Sequence, residues 1–331
     1  MLKRYYLPKS ITIIDGTLRE GLENEELLVK TDTKLFILNK LIDAGFQCME
    51  AGAFASPTAM PQFRDTEEIL KRVVRKPNLV YKCNAFNMKL VERAVKAKKE
   101  GYGADLINTQ YALVEKLSQS MFGVGVSDRW KYIEDAVKAL HDVNVKIQVS
   151  VLDTWDCPDI NLALEATNNL LNIGCDIVRA CDGLGYVTPP QAFEYFSQAL
   201  DKNPKPDSHA FHYHDIRGFG LASYIAAMQA GCGRFDACLG GVGGPPATIV
   251  DGVPSTAAAE YHAYYPDRTG LVSTEDLVVM CDAMGIETGI DTDKVLVLGK
   301  WVEAILKRKL WSFCARYGKV PKYEPPAGGC F

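Results

Sequence analysis

Eight short β-forming runs recur along the chain, each followed by an amphipathic stretch or by a loop that leads to one. This alternation restricts the fold more than any other feature. The runs are ITIID (11–15), CMEAG (48–52), LVYKCNA (79–85), DLINTQ (105–110), VKIQVSVLD (145–153), DIVRACDG (176–183), HAFHYHD (209–215) and RFDACLGG (234–241). Between them lie helical patterns such as TKLFILNKLIDAG (33–45), DRWKYIEDAVKALHDV (128–143) and LALEATNNLLNIG (162–174), several of which end in glycine, a common helix stop. Eight βα units predict an α/β protein with a parallel (β/α)8 barrel, the TIM barrel. The helices expected after the seventh and eighth strands are GLASYIAAMQAG (220–231) and STEDLVVMCDAMG (273–285). An open doubly wound sheet is disfavoured because no GxGxxG follows the first strand. The 331 residues suit one barrel, assigned to 1–290, and a C-terminal helical extension and tail at 291–331.

A barrel gathers its active site from the C-terminal ends of its strands. Here those ends carry Asp15, Arg19 and Glu20, then Glu50, Asn84, Asp153 and Asp182. The seventh adds His212, His214 and Asp215. Asp and Asn are ordinary turn residues at such places. His212 and His214 are two of only five histidines. Residues i and i+2 of a strand face the same way, so both imidazoles reach one point, and a shared metal ion is the expectation.

The bulk composition excludes several partners. A net charge of −4 gives no basic footprint for nucleic acid. No apolar run is long enough to span a bilayer, and MLKRYYLPKS is not followed by a signal core, so no membrane partner is expected. Ten cysteines without a CxxC pair suit reduced thiols and a cytoplasmic protein.

Four motifs, DGTLREGLENE (15–25), MEAGAFASPTAMPQFRD (49–65), HYHDIRGFGLA (212–222) and GGVGGPPA (240–247), resemble the DRE-TIM metallolyase superfamily, within it the 3-hydroxy-3-methylglutaryl-CoA lyases. The similarity runs from about residue 11 to about residue 316. It implies that Glu20, His212 and His214 hold one divalent cation, Mg2+ or Mn2+ before Co2+ or Zn2+. It implies that Arg19 faces a substrate carbonyl oxygen, that Glu50 orients Arg19 or a metal-bound water, and that Asp182 or His212 takes the substrate's hydroxyl proton. Lys307, Arg308 and Lys309 would bind the phosphates of coenzyme A. The implied activity is a metal-dependent carbon–carbon lyase, cleaving a 3-hydroxyacyl-CoA or a related 3-hydroxy acid in a homodimer. A Claisen-condensing synthase, prompted by TLREG, and a non-catalytic binding barrel are the alternatives.

The chain departs from that family pattern at three places. Pro245 stands where the lyases carry a loop cysteine, and Leu271 stands where they carry an asparagine that ligates the metal. An insert at 250–268 brings Tyr261, His262, Tyr264 and Tyr265 as candidates for a replacement acid, a lid or a dimer contact. Cys181 precedes Asp182 where biotin-dependent carboxyltransferases of this fold have lysine, so carboxyl transfer is not expected.

Overall fold

The computed structural model describes residues 6–23, 25–243, 248–250, 253–255, 270–319 and 321. Eight parallel strands close in sequence order into one barrel. They are β1 (Thr12–Asp15), β2 (Cys48–Ala53), β3 (Val80–Asn84), β4 (Leu106–Tyr111), β5 (Lys146–Val151), β6 (Ile177–Asp182), β7 (His209–Tyr213) and β8 (Arg234–Ala237). The ring closes where Thr12–Asp15 of β1 pair residue by residue with Arg234–Ala237 of β8. The eight-unit reading of the sequence therefore holds.

Most gaps are filled by helices that place an apolar face on the barrel. They are α1 (Thr31–Asp43), α2 (Thr66–Arg72), α3 (Met88–Lys99), α4 (Glu115–Phe122), α5 (Val126–His141), α6 (Ile160–Asn172), α7 (Pro189–Lys202) and α8 (Gly220–Ala230). After β8 come a small hairpin, β9 (Thr248–Val250) with β10 (Val253–Ser255), and then α9 (Thr274–Met284). The chain ends in α10 (Thr292–Leu306) and α11 (Phe313–Tyr317). Asp291 starts α10 by accepting the amides of Asp293 and Lys294, and its own amide donates to Ala44 O at 2.7 Å. Ser312, which caps α11, donates to Asp276 Oδ1 at 3.0 Å. No helix among the described residues is long and apolar enough to cross a membrane.

The alternation of side chains along each strand divides the interior into two worlds. Tyr81, Cys83, Ile107, Ile147, Val149, Val178, Phe211, Tyr213 and Phe235 belong to the large apolar core shared with the helices. Val80, Leu106, Ile177 and Ala210 point the other way and form an apolar floor inside the barrel. Two residues further along the same strands stand Lys82, Asn108, Arg179 and His212, all buried. Above its floor the barrel is filled with charge and amide groups, an arrangement that hydrophobic packing alone would not select.

Candidate metal centre and active site

Asp15, at the end of β1, builds the first piece of the site. Its carboxylate accepts from Thr17 N at 3.0 Å, Thr17 Oγ1 at 3.1 Å and Thr274 Oγ1 at 3.2 Å. This pins a π-helical turn, Thr17–Gly21, directly after the strand. Arg19 and Glu20 therefore lie on a turn over the mouth and not on β1 itself. A π turn is a recurrent local device at functional sites because it changes the direction of successive side chains.

Arg19 is only 3% exposed and is held on three sides. Its Nε donates to Glu50 Oε2 at 2.9 Å, and its Nη1 meets Glu20 Oε2 at 2.5 Å and Glu23 Oε2 at 3.1 Å. Nη2 is buried and has no hydrogen-bond partner among the described residues. Glu50 is steadied from below by Lys82 Nζ, 2.9 Å from its Oε1. Burial raises the carboxyl pKa of Glu20, but Arg19, aided by His212 and His214, outweighs burial and brings it down to about 2.

His212 and His214 project from β7 and its end toward the same place. Their Nε2 atoms are 3.2 Å apart, and Glu20 Oε1 is 3.6 Å from His214 Nε2. The three ligating atoms all lie within 4.8 Å of one another. His212 Nδ1 donates to Asp236 Oδ2 at 2.8 Å, which leaves the Nε2 lone pair facing His214. Burial lowers both histidines, His214 to about 4, so both are neutral at neutral pH. The Nε2 atoms of two imidazoles and one carboxylate oxygen, gathered at one point, fit a divalent metal ion.

The other strand-end acids accept from backbone amides. Asp182 accepts from Leu184 N at 3.1 Å and from Gly185 N and Val187 N, each at 2.7 Å, and so shapes its own loop. Burial raises its pKa to about 6. Asp153 accepts from Leu113 N at 2.9 Å and Val114 N at 2.9 Å, and Asp215 from Gly220 N at 2.8 Å. The structure thus brings together Arg19, Glu20, Glu50, His212 and His214, and leaves Asp182 outside their ion pairs. Reasoning from strand ends missed Lys82, Arg179 and Asp236. The signal was present as charged residues at alternate positions inside the β-forming runs VYKCN, IVRACD and RFDA.

A family model described as HMGL-like matches residues 10–302 of the chain. The chain belongs to the HMGL-like family. Among its relatives, the mitochondrial hydroxymethylglutaryl-CoA lyase of Macaca fascicularis is 29% identical over 315 residues, covering 94% of this chain and 90% of that one. The cytoplasmic 3-hydroxy-3-methylglutaryl-CoA lyase of Homo sapiens is 27% identical over 301 residues, covering 89% and 75%. Among solved structures, an HMG-CoA lyase from Acinetobacter baumannii, in complex with coenzyme A and 3-methylmalate, matches with a TM-score of 0.82. It is 27% identical and covers 98% of this chain and 99% of that one. These relatives are carbon–carbon lyases, and membership places this HMGL-like chain among them.

Within the HMGL-like frame, Leu271 lies beside His214 in an isolated antiparallel bridge and buries its side chain in the apolar core. Asp215 N donates to Gly270 O at 2.7 Å, which fixes that approach. Pro245 and the four aromatic candidates Tyr261, His262, Tyr264 and Tyr265 lie outside the described residues. In the basic run, Arg308 donates through Nη2 to Glu25 Oε1 at 2.5 Å and through Nε to Glu25 Oε2 at 3.2 Å. Lys307 and Lys309 are exposed.

Proposed function

We propose that this HMGL-like chain is a divalent-metal-dependent lyase that breaks a carbon–carbon bond in a 3-hydroxyacyl-CoA such as 3-hydroxy-3-methylglutaryl-CoA, or in a related 3-hydroxy acid. One observation carries this reading: an arginine with an uncommitted, buried Nη2 stands beside a three-donor cation set at the mouth of a closed barrel. Glu20, His212 and His214 would hold the ion, and a set of one carboxylate and two imidazoles suits Mg2+, Mn2+, Co2+ or Zn2+. When bound, such an ion supplies a Lewis acid that lowers the pKa of a substrate hydroxyl.

The remaining work falls to the chain's own side chains. Glu50 and Glu20 fix two arms of the Arg19 fork before any substrate arrives. The third arm is then a preorganised donor for the carbonyl oxygen that gains negative charge as the bond breaks. Asp236 holds the His212 ring in the tautomer that keeps Nε2 free of a proton. Glu25 anchors Arg308, so that Lys307 and Lys309 stand ready for the phosphates of coenzyme A, the ligand of the Acinetobacter relative.

The test is product analysis by mass spectrometry after incubating chelator-stripped protein, with and without Mn2+, with a panel of acyl-CoA thioesters and free 3-hydroxy acids. Mn2+-dependent appearance of one carbonyl product and one acyl product is expected, and it should disappear in His214→Ala. Absence of metal-stimulated cleavage across the panel, or full cleavage by His214→Ala, would overturn the reading.

A further inference from the structure

The interior of the barrel carries a second guanidinium that the proposed chemistry does not use. Arg179, on β6, is 2% exposed and lies below the mouth. Its Nε donates to Ser150 Oγ on β5 at 2.9 Å, and its Nη1 donates to Asp236 Oδ2 on β8. Ser150 in turn donates to Asn108 Oδ1 on β4 at 2.7 Å, and Asn108 Oδ1 also accepts from Gln148 Nε2 at 2.9 Å. Asp236 Oδ2 is the same oxygen that receives His212 Nδ1. One continuous line of donors and acceptors thus runs across the inside of the barrel and ends on a metal-site imidazole.

Each link has a fixed direction. A guanidinium only donates, so Ser150 must accept from it and pass its own hydroxyl proton to Asn108. The planar fork of Arg179 sets the angle between its two partners, Ser150 and Asp236. A carboxylate buried to this degree, 2% exposed, stays ionised only where fixed positive charge faces it. Arg179 supplies that charge at contact distance, while Lys82 Nζ stands further off, 3.8 Å from Asp236 Oδ1.

We infer that Arg179 is a positioning residue for the metal centre. It fixes the Asp236 carboxylate in one place, and Asp236 thereby holds the His212 ring with Nε2 aimed at the cation site. The inference rests on the reading of Glu20, His212 and His214 as metal ligands. It adds that the affinity of this site is set from the far side of the barrel, through β5, β6 and β8. Outer partners of metal-bound histidines are worth roughly 10–100-fold in metal affinity.

The experiment is calorimetric titration of the metal-free full chain with Mn2+, combined with thermal unfolding of the same samples. Arg179→Met is expected to weaken Mn2+ binding by at least about tenfold. Arg179→Lys, which keeps a cation beside Asp236 but loses the fork, should weaken Mn2+ binding by less than Arg179→Met and still fall measurably below wild type. Lys34→Met is the matched control, since Lys34 is another buried cation, paired to Asp65 at 2.7 Å away from the metal ligands. It should lower the thermal midpoint and leave Mn2+ affinity unchanged. If wild type binds no Mn2+, the metal-site reading itself fails. If wild type binds Mn2+ and folded Arg179→Met binds it equally well, the positioning role is refuted. It is refuted too if Lys34→Met weakens Mn2+ as much as Arg179→Met, because the loss would then reflect general loosening. Should Arg179→Met not fold, Arg179→Lys and Ser150→Ala decide the matter: unchanged Mn2+ affinity in both overturns the inference, and a graded loss, larger in Arg179→Lys, upholds it.

Discussion

Replacing Arg19 by methionine removes the one cation shared by Glu20, Glu23 and Glu50 while keeping similar side-chain bulk. In the folded protein the Glu20 carboxyl lies at about 2, below its ordinary 4.5. That difference corresponds to about 3 kcal/mol of stability, on the scale of 1.4 kcal/mol per unit. It agrees with the roughly 3–5 kcal/mol expected when one partner of a buried ion pair is deleted. Glu50 softens its own loss because Lys82 remains 2.9 Å away. A folded carboxyl pKa below the unfolded value gives stability that is present above pH 4.5 and is lost as pH falls toward 2. Without Arg19, burial raises the carboxyls of Glu20 and Glu23, so the deficit of Arg19→Met should be largest at neutral pH and shrink steadily as pH falls. A chain of 331 residues unfolds with an entropy near 0.7 kcal/mol per kelvin, so about 3 kcal/mol lowers Tm by roughly 4–5 °C. The assay is scanning calorimetry of wild type and variant at pH 7.5, 5.0 and 4.0, with chelator present so that no bound ion compensates Glu20. A shift under about 1 °C at pH 7.5, or a deficit that grows as pH falls, would refute the electrostatic account. The same variant should lose at least roughly a hundredfold in kcat on any substrate found, the scale of one oxyanion donor.

Gly185→Ala should lower stability by more than about 2 kcal/mol and weaken Mn2+ binding, because Gly185 has φ +64° and an added Cβ would strike the carbonyl oxygen of His214; a variant with wild-type Tm and Mn2+ affinity contradicts this. Burial raises the thiol pKa at all four of these positions, so access decides the order: iodoacetamide at pH 7.5 should label the half-buried Cys157 and Cys314 first among the described cysteines, before the buried Cys181 and Cys238, and leave turnover intact. Peptide mapping that ties inactivation to Cys181 or Cys238 would show that reading to be wrong.

The barrel was legible in the chain because strand and helix periodicities are local, and eight βα repeats leave few ways to close. His212 and His214 were legible for the same reason: two positions on one strand share a face whatever surrounds them. Glu20 and Arg19 came from motif resemblance, but the π turn that presents them depends on Asp15 bonding to Thr17 and Thr274, the latter 259 residues away. Sequence position places Asp182 at the mouth, and the fold adds the three backbone amides that hold its carboxylate there. Lys82, Arg179 and Asp236 sit on β3, β6 and β8, and only closure of the barrel brings their charges within reach of Glu50 and His212. Periodicity fixes which way a side chain points along its own strand. Which charges meet across the interior is settled by the registers of eight strands together, because a buried ion is tolerated only where the closed ring delivers its partner.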